Sequence, residues 1–345
     1  MPIYKKKYLL LLLLSLFGWG TVHAQSLGSQ PDPVQYIVAP ETPGPNQFVH
    51  IEVEGVGTFL GNATVTWQKD GKTVASGTGL TRYSFTTGGI GSNTRITVVV
   101  TSTTHGTITR DFVFAPSLVN LIWEAQTTVP QPYMGKALYS AGSAVSVVAF
   151  PTIFLQGTKV PNNKLSFQWS SGGNAVPDQS GLGKNVFSFV GDQLKNGETV
   201  AVDVYVGSVK VGRSELYIPA TAPKIVLYTY DPLRGLMFDS ALVNAANLGG
   251  KEVTLQAEPY YFAASSRQKG ALAFNWTLNG EETTGPDSAR GFLTLRQTGS
   301  GAGAAQVAVA VQNTESDKFI QVAETGLILA FGQQAGSFLS TFFGI

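Results

Sequence analysis

The chain has 345 residues, 23 basic and 22 acidic side chains, a formal net charge of +1 and no cysteine. Lack of cysteine excludes a disulfide framework, a thiolate metal site and a thiol nucleophile, and the balanced charge leaves no basic footprint for nucleic acid. Charged residues make up 13% of the chain and hydrophobic ones 43%, which is too apolar for a disordered chain and leaves room for two or three domains of roughly 100–200 residues.

Residues 1–24 read as a secretory signal peptide. Lys5, Lys6 and Lys7 form a positive start, Tyr8 to Trp19 is apolar, and Val22 and Ala24 put small residues before a cut at Gln25. The apolar run is 12 residues, short of the roughly 20 that span a bilayer. Beyond residue 24 the chain keeps 20 basic and 22 acidic residues, net −2. No cysteine follows the cut, so a lipid-modified lipoprotein is excluded. An exported chain without disulfides must hold its domains by their cores alone, and this favours a bacterial source. Residues 25–30 read as a flexible linker.

Three copies of one plan follow. The segments ATVTWQKDG (63–71), LSFQWSSGG (165–173) and LAFNWTLNG (272–280) each alternate apolar and polar residues up to a tryptophan. That is the pattern of a half-buried strand. Asp70-Gly71, Gly172-Gly173 and Asn279-Gly280 come three and four residues later. These pairs tolerate positive φ at both central positions of a tight hairpin. The tryptophans are 102 and 107 residues apart, which sets the repeat period.

Other strands keep the same offsets. Val49/Ile51/Val53, Val145/Val147/Ala149 and Val253/Leu255/Ala257 precede the tryptophan. Tyr83/Phe85, Phe187/Phe189 and Leu293/Leu295 follow it. Ile96/Val98/Val100, Val200/Val202/Val204 and Val307/Val309/Val311 come next, and Phe112/Phe114, Leu216/Ile218 and Leu327/Leu329 close each copy. No helical period occurs within the copies. Short strands parted by Gly, Pro, Asn and Asp turns describe an all-β chain of tandem sandwiches.

The third-strand tryptophan and its turn glycine, in WQKDG, WSSGG and WTLNG, resemble those of bacterial immunoglobulin-like or PKD-like domains, over residues 31–331. The cysteine pair of antibody-type domains and the GDG triplet of PKD-type domains are missing. The resemblance implies adhesive, spacing or scaffolding roles in secreted and surface proteins, and no active site comes with it. Domain boundaries fall at 31–115, 116–220 and 221–331, with an apolar tail at 332–345.

The residues suggest no catalytic, cofactor-binding or metal site. His50 and His105 lie apart in copy one, without the companions a metal cluster needs, and no Gly-x-Ser-x-Gly elbow occurs. Glu52 and Glu54 alternate with Val49, Ile51 and Val53 and take the solvent face. Asp239, Glu281 and Glu282 are expected in loops. The glycine-rich stretch 77–91 sits between strands, with no helix to complete a phosphate cradle.

Two surfaces stand out instead. One is the loop before the tryptophan strand, with Phe154 in copy two and Tyr260, Tyr261 and Phe262 in copy three. It is either a partner-binding loop tip or packing against the neighbouring domain. The nearby segment 123–139, carrying Trp123, Tyr133, Met134 and Tyr139, is expected to cross its own domain and pack there. The other surface is the tail. No residue from Thr325 to Ile345 is charged, and Ala335, Phe338, Leu339, Phe342 and Phe343 fall at helical spacing. This short C-terminal amphipathic helix has three readings: folding back on copy three, docking on a protein partner or another copy, and inserting in a membrane.

Together these features describe an exported, non-enzymatic structural, adhesive or scaffolding protein of the bacterial envelope or surface, either periplasmic or extracellular. Its expected partner is an envelope or surface protein, with membrane contact through the tail as the other option. The competing class is carbohydrate binding or processing. It requires exposed aromatics or a paired-carboxylate cleft, and burial of Trp67, Trp169 and Trp276 counts against it.

Overall fold

The computed structural model describes residues 34–55, 59–130, 132–247, 250–315 and 321–332. The signal peptide expected at 1–24, the linker expected at 25–30 and the helically spaced residues 335–343 lie outside the described residues.

The chain is an all-β protein of three immunoglobulin-like sandwiches in tandem, each around its own hydrophobic core. The first comprises β1 (Val34–Ala39), β2 (Phe48–Gly55), β3 (Thr64–Lys69), β4 (Lys72–Thr78), β5 (Arg82–Thr86), β6 (Thr94–Ser102) and β7 (Gly106–Phe114). They pair in the orders β1-β2-β5 and β4-β3-β6-β7. The fourth strand therefore joins the tryptophan sheet rather than the other one. The second unit has β8 (Leu118–Ala125) and β9 (Ala144–Thr152), a small hairpin β10 (Phe154–Leu155) and β11 (Thr158–Lys159), then β12 (Ser166–Ser171), β13 (Asn174–Ala175), β14 (Gly181–Leu182), β15 (Val186–Val190), β16 (Gly197–Val206) and β17 (Val209–Pro219). Its sheets are β15-β9-β8 and β13-β12-β16-β17, with β14 also on β12.

The third unit contains β18 (Lys224–Asp231), β19 (Gly235–Leu242), β20 (Asn244–Asn247), β21 (Glu252–Tyr260), β22 (Leu272–Leu278), β23 (Glu281–Thr283), β24 (Phe292–Arg296), β25 (Gly303–Asn313) and β26 (Val322–Phe331). The orders are β19-β18-β21-β24 and β20-β26-β25-β22-β23, with β20 parallel to β26. Two details differ from the sequence reading. Single helical turns, α1 (Phe59–Asn62) and α2 (Ala264–Gln268), precede the tryptophan strands of units one and three; they are too short to show a helical period. Asp239, Glu281 and Glu282 sit on β19 and β23 rather than in loops. Both are edge strands, where charge blunts pairing with other chains.

The tryptophan is the fixed point of each unit. Trp67, Trp169 and Trp276 face Val98, Val202 and Val309 across the same strand pair, and are 0%, 1% and 2% exposed. Burying one such side chain stabilises its sandwich by roughly 4–6 kcal/mol, at 150–250 Å² and about 25 cal/mol per Å². The turns behind them take the expected geometry. Asp70 and Gly71, Gly172 and Gly173, and Asn279 and Gly280 all have positive φ. Asp70 and Asn279 each use a side-chain oxygen to accept the backbone N–H of the neighbouring strand, from Arg95 and Gln306, at 2.9 Å. Gly172 has no side chain to do this; a Cβ there would stand 3.0 Å from the Glu198 carboxylate. That buried carboxylate accepts instead from Ser171 Oγ at 2.7 Å and Lys195 Nζ at 2.8 Å.

Unit three departs from the other two at the tryptophan itself. The indole N–H of Trp67 donates to the Leu80 carbonyl and that of Trp169 to the Lys184 carbonyl, both at 2.9 Å. Their rings stack on Tyr83 and Phe187. Trp276 Nε1 has no acceptor among the described residues, and Leu293 stands where the stacking ring would be. A short 3₁₀ turn, Ser288–Arg290, ends there in left-handed Gly291, so the preceding loop is folded differently. Trp67→Phe and Trp169→Phe each remove a hydrogen bond and leave a carbonyl open, whereas Trp276→Phe removes none. The first two should therefore cost about 1 kcal/mol more than the third. Calorimetry of the full chain, reading the transition each substitution moves, checks this; three equal shifts would contradict it.

Candidate functional site

The described chain concentrates its buried polar chemistry between units, above all between units two and three. Residues 126–128, just after β8, run beside 261–264, just after β21. Thr128 N–H donates to the Phe262 carbonyl and Tyr261 N–H to the Thr128 carbonyl, both at 2.7 Å, and Ala264 N–H donates to the Gln126 carbonyl at 3.1 Å. Thr127 and Ala263 form an antiparallel bridge. Phe262 N–H also donates to Thr128 Oγ1 at 3.0 Å. The junction is thus a short piece of β-sheet shared by two domains, with main-chain bonds fixing its register.

Gln321, 1% exposed, locks the same place from the other side. Its Nε2 donates to Ser140 Oγ at 3.0 Å and to the Ala141 carbonyl at 2.7 Å. Its Oε1 accepts from Ala263 N–H at 3.0 Å and from Asn313 Nδ2 at 2.9 Å. Ser140 Oγ in turn donates to the Tyr261 carbonyl at 2.5 Å. Every hydrogen-bonding group of this buried amide is used, as a dry polar core requires.

These contacts place the loop residues singled out in the sequence. Phe262 is fully buried and Tyr261 nearly so. Of the two readings above, these two residues take the second: apolar bulk at this domain end packs against the neighbouring unit. Tyr260 is half-buried and shares a 2.8 Å hydroxyl bond with Tyr228. Phe154, on β10, lies against Gly91 of unit one, its ring 3.7 Å from where a Cβ on that glycine would stand. The segment 123–139 does more than pack on its own domain. Tyr139 belongs to the core of unit two, while the Tyr133 hydroxyl bonds that of Tyr261 at 3.0 Å. Met134 is exposed. Thr128, Ser140 and Gln321 were not legible in the sequence, because a buried hydrogen bond between loops leaves no periodicity.

The first junction is charged. Lys210 on β17 reaches Glu41 of unit one at 3.0 Å and Asp203 at 3.2 Å, and Arg213 continues the ladder to Asp203 and Glu215. Ser117 N–H donates to the Pro43 carbonyl at 3.3 Å. His50 Nδ1 bonds Ser84 Oγ at 2.9 Å, and Glu52 pairs with Arg82. Among the described residues, no three His, Cys, Asp or Glu side chains group as metal ligands.

A cleft of about 650 Å³ borders the second junction, lined in part by Thr128, Pro130, Phe238, Gln256, Glu258 and Arg267. Glu258 is its single carboxylate. It is buried, pairs with Arg267 at 2.5 Å and accepts from Gln256 at 3.2 Å. Glycoside hydrolysis uses two carboxylates, and this cleft supplies one that is already committed.

No family model and no curated protein matches the chain. Among solved structures, it is similar to the three N-terminal domains of the outer capsid protein Hoc of bacteriophage RB49, with 14% identity over 87% of this chain and 98% of that one, at a TM-score of 0.27. It is also similar to the central fibronectin-III array of RIM-binding protein, with 12% identity, 88% and 98% coverage, and a TM-score of 0.28. A third is SGBP-B of the Bacteroides ovatus mixed-linkage glucan utilization locus, solved in complex with a mixed-linkage heptasaccharide, at 12% identity, 88% and 72% coverage, and a TM-score of 0.23. The fold class stands on the strand pairing described above.

The junction tyrosines carry a pH signature. Burial, reinforced by the bond to Tyr133, pushes the Tyr261 phenol from an ordinary 10.0 up to about 12. Burial and the bond to Tyr228 raise Tyr260 further. The folded junction thus holds neutral phenols. Its stabilisation is complete below pH 10 and is lost as pH rises from about 10 through 12, where the unfolded chain has already released its protons. Tyrosinate absorbance of the native chain should show two or more late-titrating tyrosines that become ordinary once the chain is unfolded in urea. A native titration centred on pH 10 for every tyrosine would contradict this.

Proposed function

We propose that the chain is an exported, non-enzymatic spacer or scaffold of the bacterial cell envelope or surface, holding a protein partner at a set distance. The observation that carries this reading is the second junction. A chain that binds through mobile loop tips leaves its aromatic loops free, whereas this one uses Tyr261 and Phe262 to join its domains. A shared sheet segment and a fully bonded buried glutamine fix one orientation between units, which is what a spacer needs. The leader at 1–24 and the absence of cysteine support export from a bacterium, and the Trp-centred sandwich supports the immunoglobulin-like or PKD-like modules of secreted proteins.

The cleft with Phe238, Gln256, Glu258 and Arg267 favours one second reading, carbohydrate binding without hydrolysis. Expression of the full chain with its own leader in a bacterial host, followed by cell fractionation, mass determination and affinity electrophoresis in soluble glucans, separates the readings. The spacer reading expects loss of residues 1–24, recovery in the envelope or medium, and unretarded migration in glucan. Cytoplasmic retention with an intact leader would refute export. Retardation abolished by Phe238→Ala and Glu258→Gln would replace the spacer reading with the glycan one.

A further inference from the structure

The second junction gathers Tyr133, Tyr228, Tyr260 and Tyr261, and one hydroxyl-bonded pair among them crosses from unit two to unit three. Tyr133 comes from the segment between β8 and β9, and Tyr261 follows β21. Their hydroxyls are hydrogen-bonded at 3.0 Å, and their ring centroids stand 6.5 Å apart. Tyr260 meets the same rings, at 5.8 Å from Tyr133 and 6.0 Å from Tyr261, but its hydroxyl is held by Tyr228 at 2.8 Å within unit three. Two local features aim the crossing pair. Tyr261 has a φ of 64°, a left-handed backbone that a bulky residue rarely adopts, and its carbonyl is fixed by Ser140 Oγ. The Tyr133 ring lies over the backbone of Gly135, where a Cβ would collide with the phenol carbon Cζ and the hydroxyl. Both phenols are therefore held in place, one by a strained backbone and the other by a missing side chain.

We propose that Tyr133 and Tyr261 are a site of oxidative cross-linking, joined by a one-electron oxidant into a dityrosine that bonds unit two to unit three. Phenols couple through the carbons ortho to oxygen, and a hydroxyl–hydroxyl hydrogen bond brings those carbons of the two rings near each other. The oxidant takes one electron from each phenol, and each hydroxyl releases its proton to water. The two phenoxyl radicals then form a Cε–Cε bond, and the hydrogens on those two carbons move to the oxygens and restore both phenols. The net loss is two electrons and two protons, which reduce one hydrogen peroxide to two waters when a peroxidase is the oxidant. Tyr133 is half-buried and Tyr261 is 7% exposed, so oxidation enters at Tyr133 and passes to Tyr261 through their contact. Met134 beside them is 97% exposed and takes up an oxygen atom from two-electron oxidants, so the tyrosine pair answers to the one-electron class. In a chain without cysteine, the bond gives the joint a covalent staple that disulfide chemistry does not supply. This goes beyond the spacer reading and does not depend on it.

The test treats the dilute full chain with a ruthenium tris-bipyridyl photo-oxidant and persulfate at neutral pH. Dityrosine emission, intact mass and peptide mapping read the product. The proposal expects a monomer lighter by two hydrogen atoms, with the peptides that hold Tyr133 and Tyr261 joined. Tyr133→Phe and Tyr261→Phe keep the ring packing, and each should abolish that joined peptide. Tyr217→Phe, at an exposed tyrosine of β17, should leave its yield unchanged. Gly135→Ala keeps both phenols but moves the Tyr133 ring, and unfolding in urea separates the pair, so each should lower the yield several-fold. A yield undiminished in urea and in Gly135→Ala would overturn the proposal. So would a joined peptide that maps only to Tyr228 and Tyr260, or covalent dimers in place of a cross-linked monomer. Oxidation confined to Met134, with an oxygen atom gained and no joined peptide, would overturn it as well. Cell fractionation tests the spacer reading separately, so the two can fail independently.

Discussion

A sandwich without a disulfide has to hold its two sheets together by packing, and here the load falls on one tryptophan per unit. Trp67, Trp169 and Trp276 sit opposite a valine in the same strand pair. That register decides the rest. It sets which residues of the neighbouring strands face inward, and it places the hairpin turn three residues on. Around the ring the three units solve the remaining polar problem differently. Units one and two bond the indole to a loop carbonyl, and unit three leaves it without an acceptor among the described residues. Unit three also has leucines, Leu293 and Leu295, where the others have stacked aromatics.

The second consequence concerns the ends of the sandwiches. Strand ends and connecting loops carry apolar side chains and backbone groups that need partners. In the first two units those needs are met by the next unit in the chain. The first junction uses charge, through Lys210, Glu41 and Asp203, at the surface. The second uses buried neutral hydrogen bonds around Gln321 and Ser140. Exposed ion pairs contribute little and weaken with salt, whereas a buried amide with all its groups bonded specifies one geometry. The two joints should therefore differ in stiffness, with the second the firmer.

How much of this the sequence discloses depends on the kind of interaction. The strands around each tryptophan were legible because alternation of period two is forced by a half-buried sheet, as in Ile96/Val98/Val100. The turns were legible because Asp70-Gly71 and Asn279-Gly280 are pairs that accept left-handed backbone. In unit two, Gly172 was legible as a turn residue, but the buried Glu198 that replaces its missing side chain was not. The strands β19 and β20 went unseen because their residues are half-exposed and do not alternate. The junction was half legible: aromatic bulk at 260–262 marked the loop but left a binding tip and a covered loop both open, and only the fold shows that Thr128, Tyr133 and Ser140 meet it. Gln321 gave no signal at all, since a polar residue earns burial only from partners distant in sequence.

The central claim is that the second joint holds one orientation, and the cysteine-free chain allows a direct measurement. Leu194 of unit two and Leu233 of unit three are almost fully exposed, so Leu194→Cys and Leu233→Cys can carry a pair of spin labels without disturbing either core. Pulsed electron resonance then gives the distance distribution between them. A single narrow peak that broadens when Gln321→Ala removes the amide is the result predicted here. A broad distribution in the chain with Gln321 intact would contradict it.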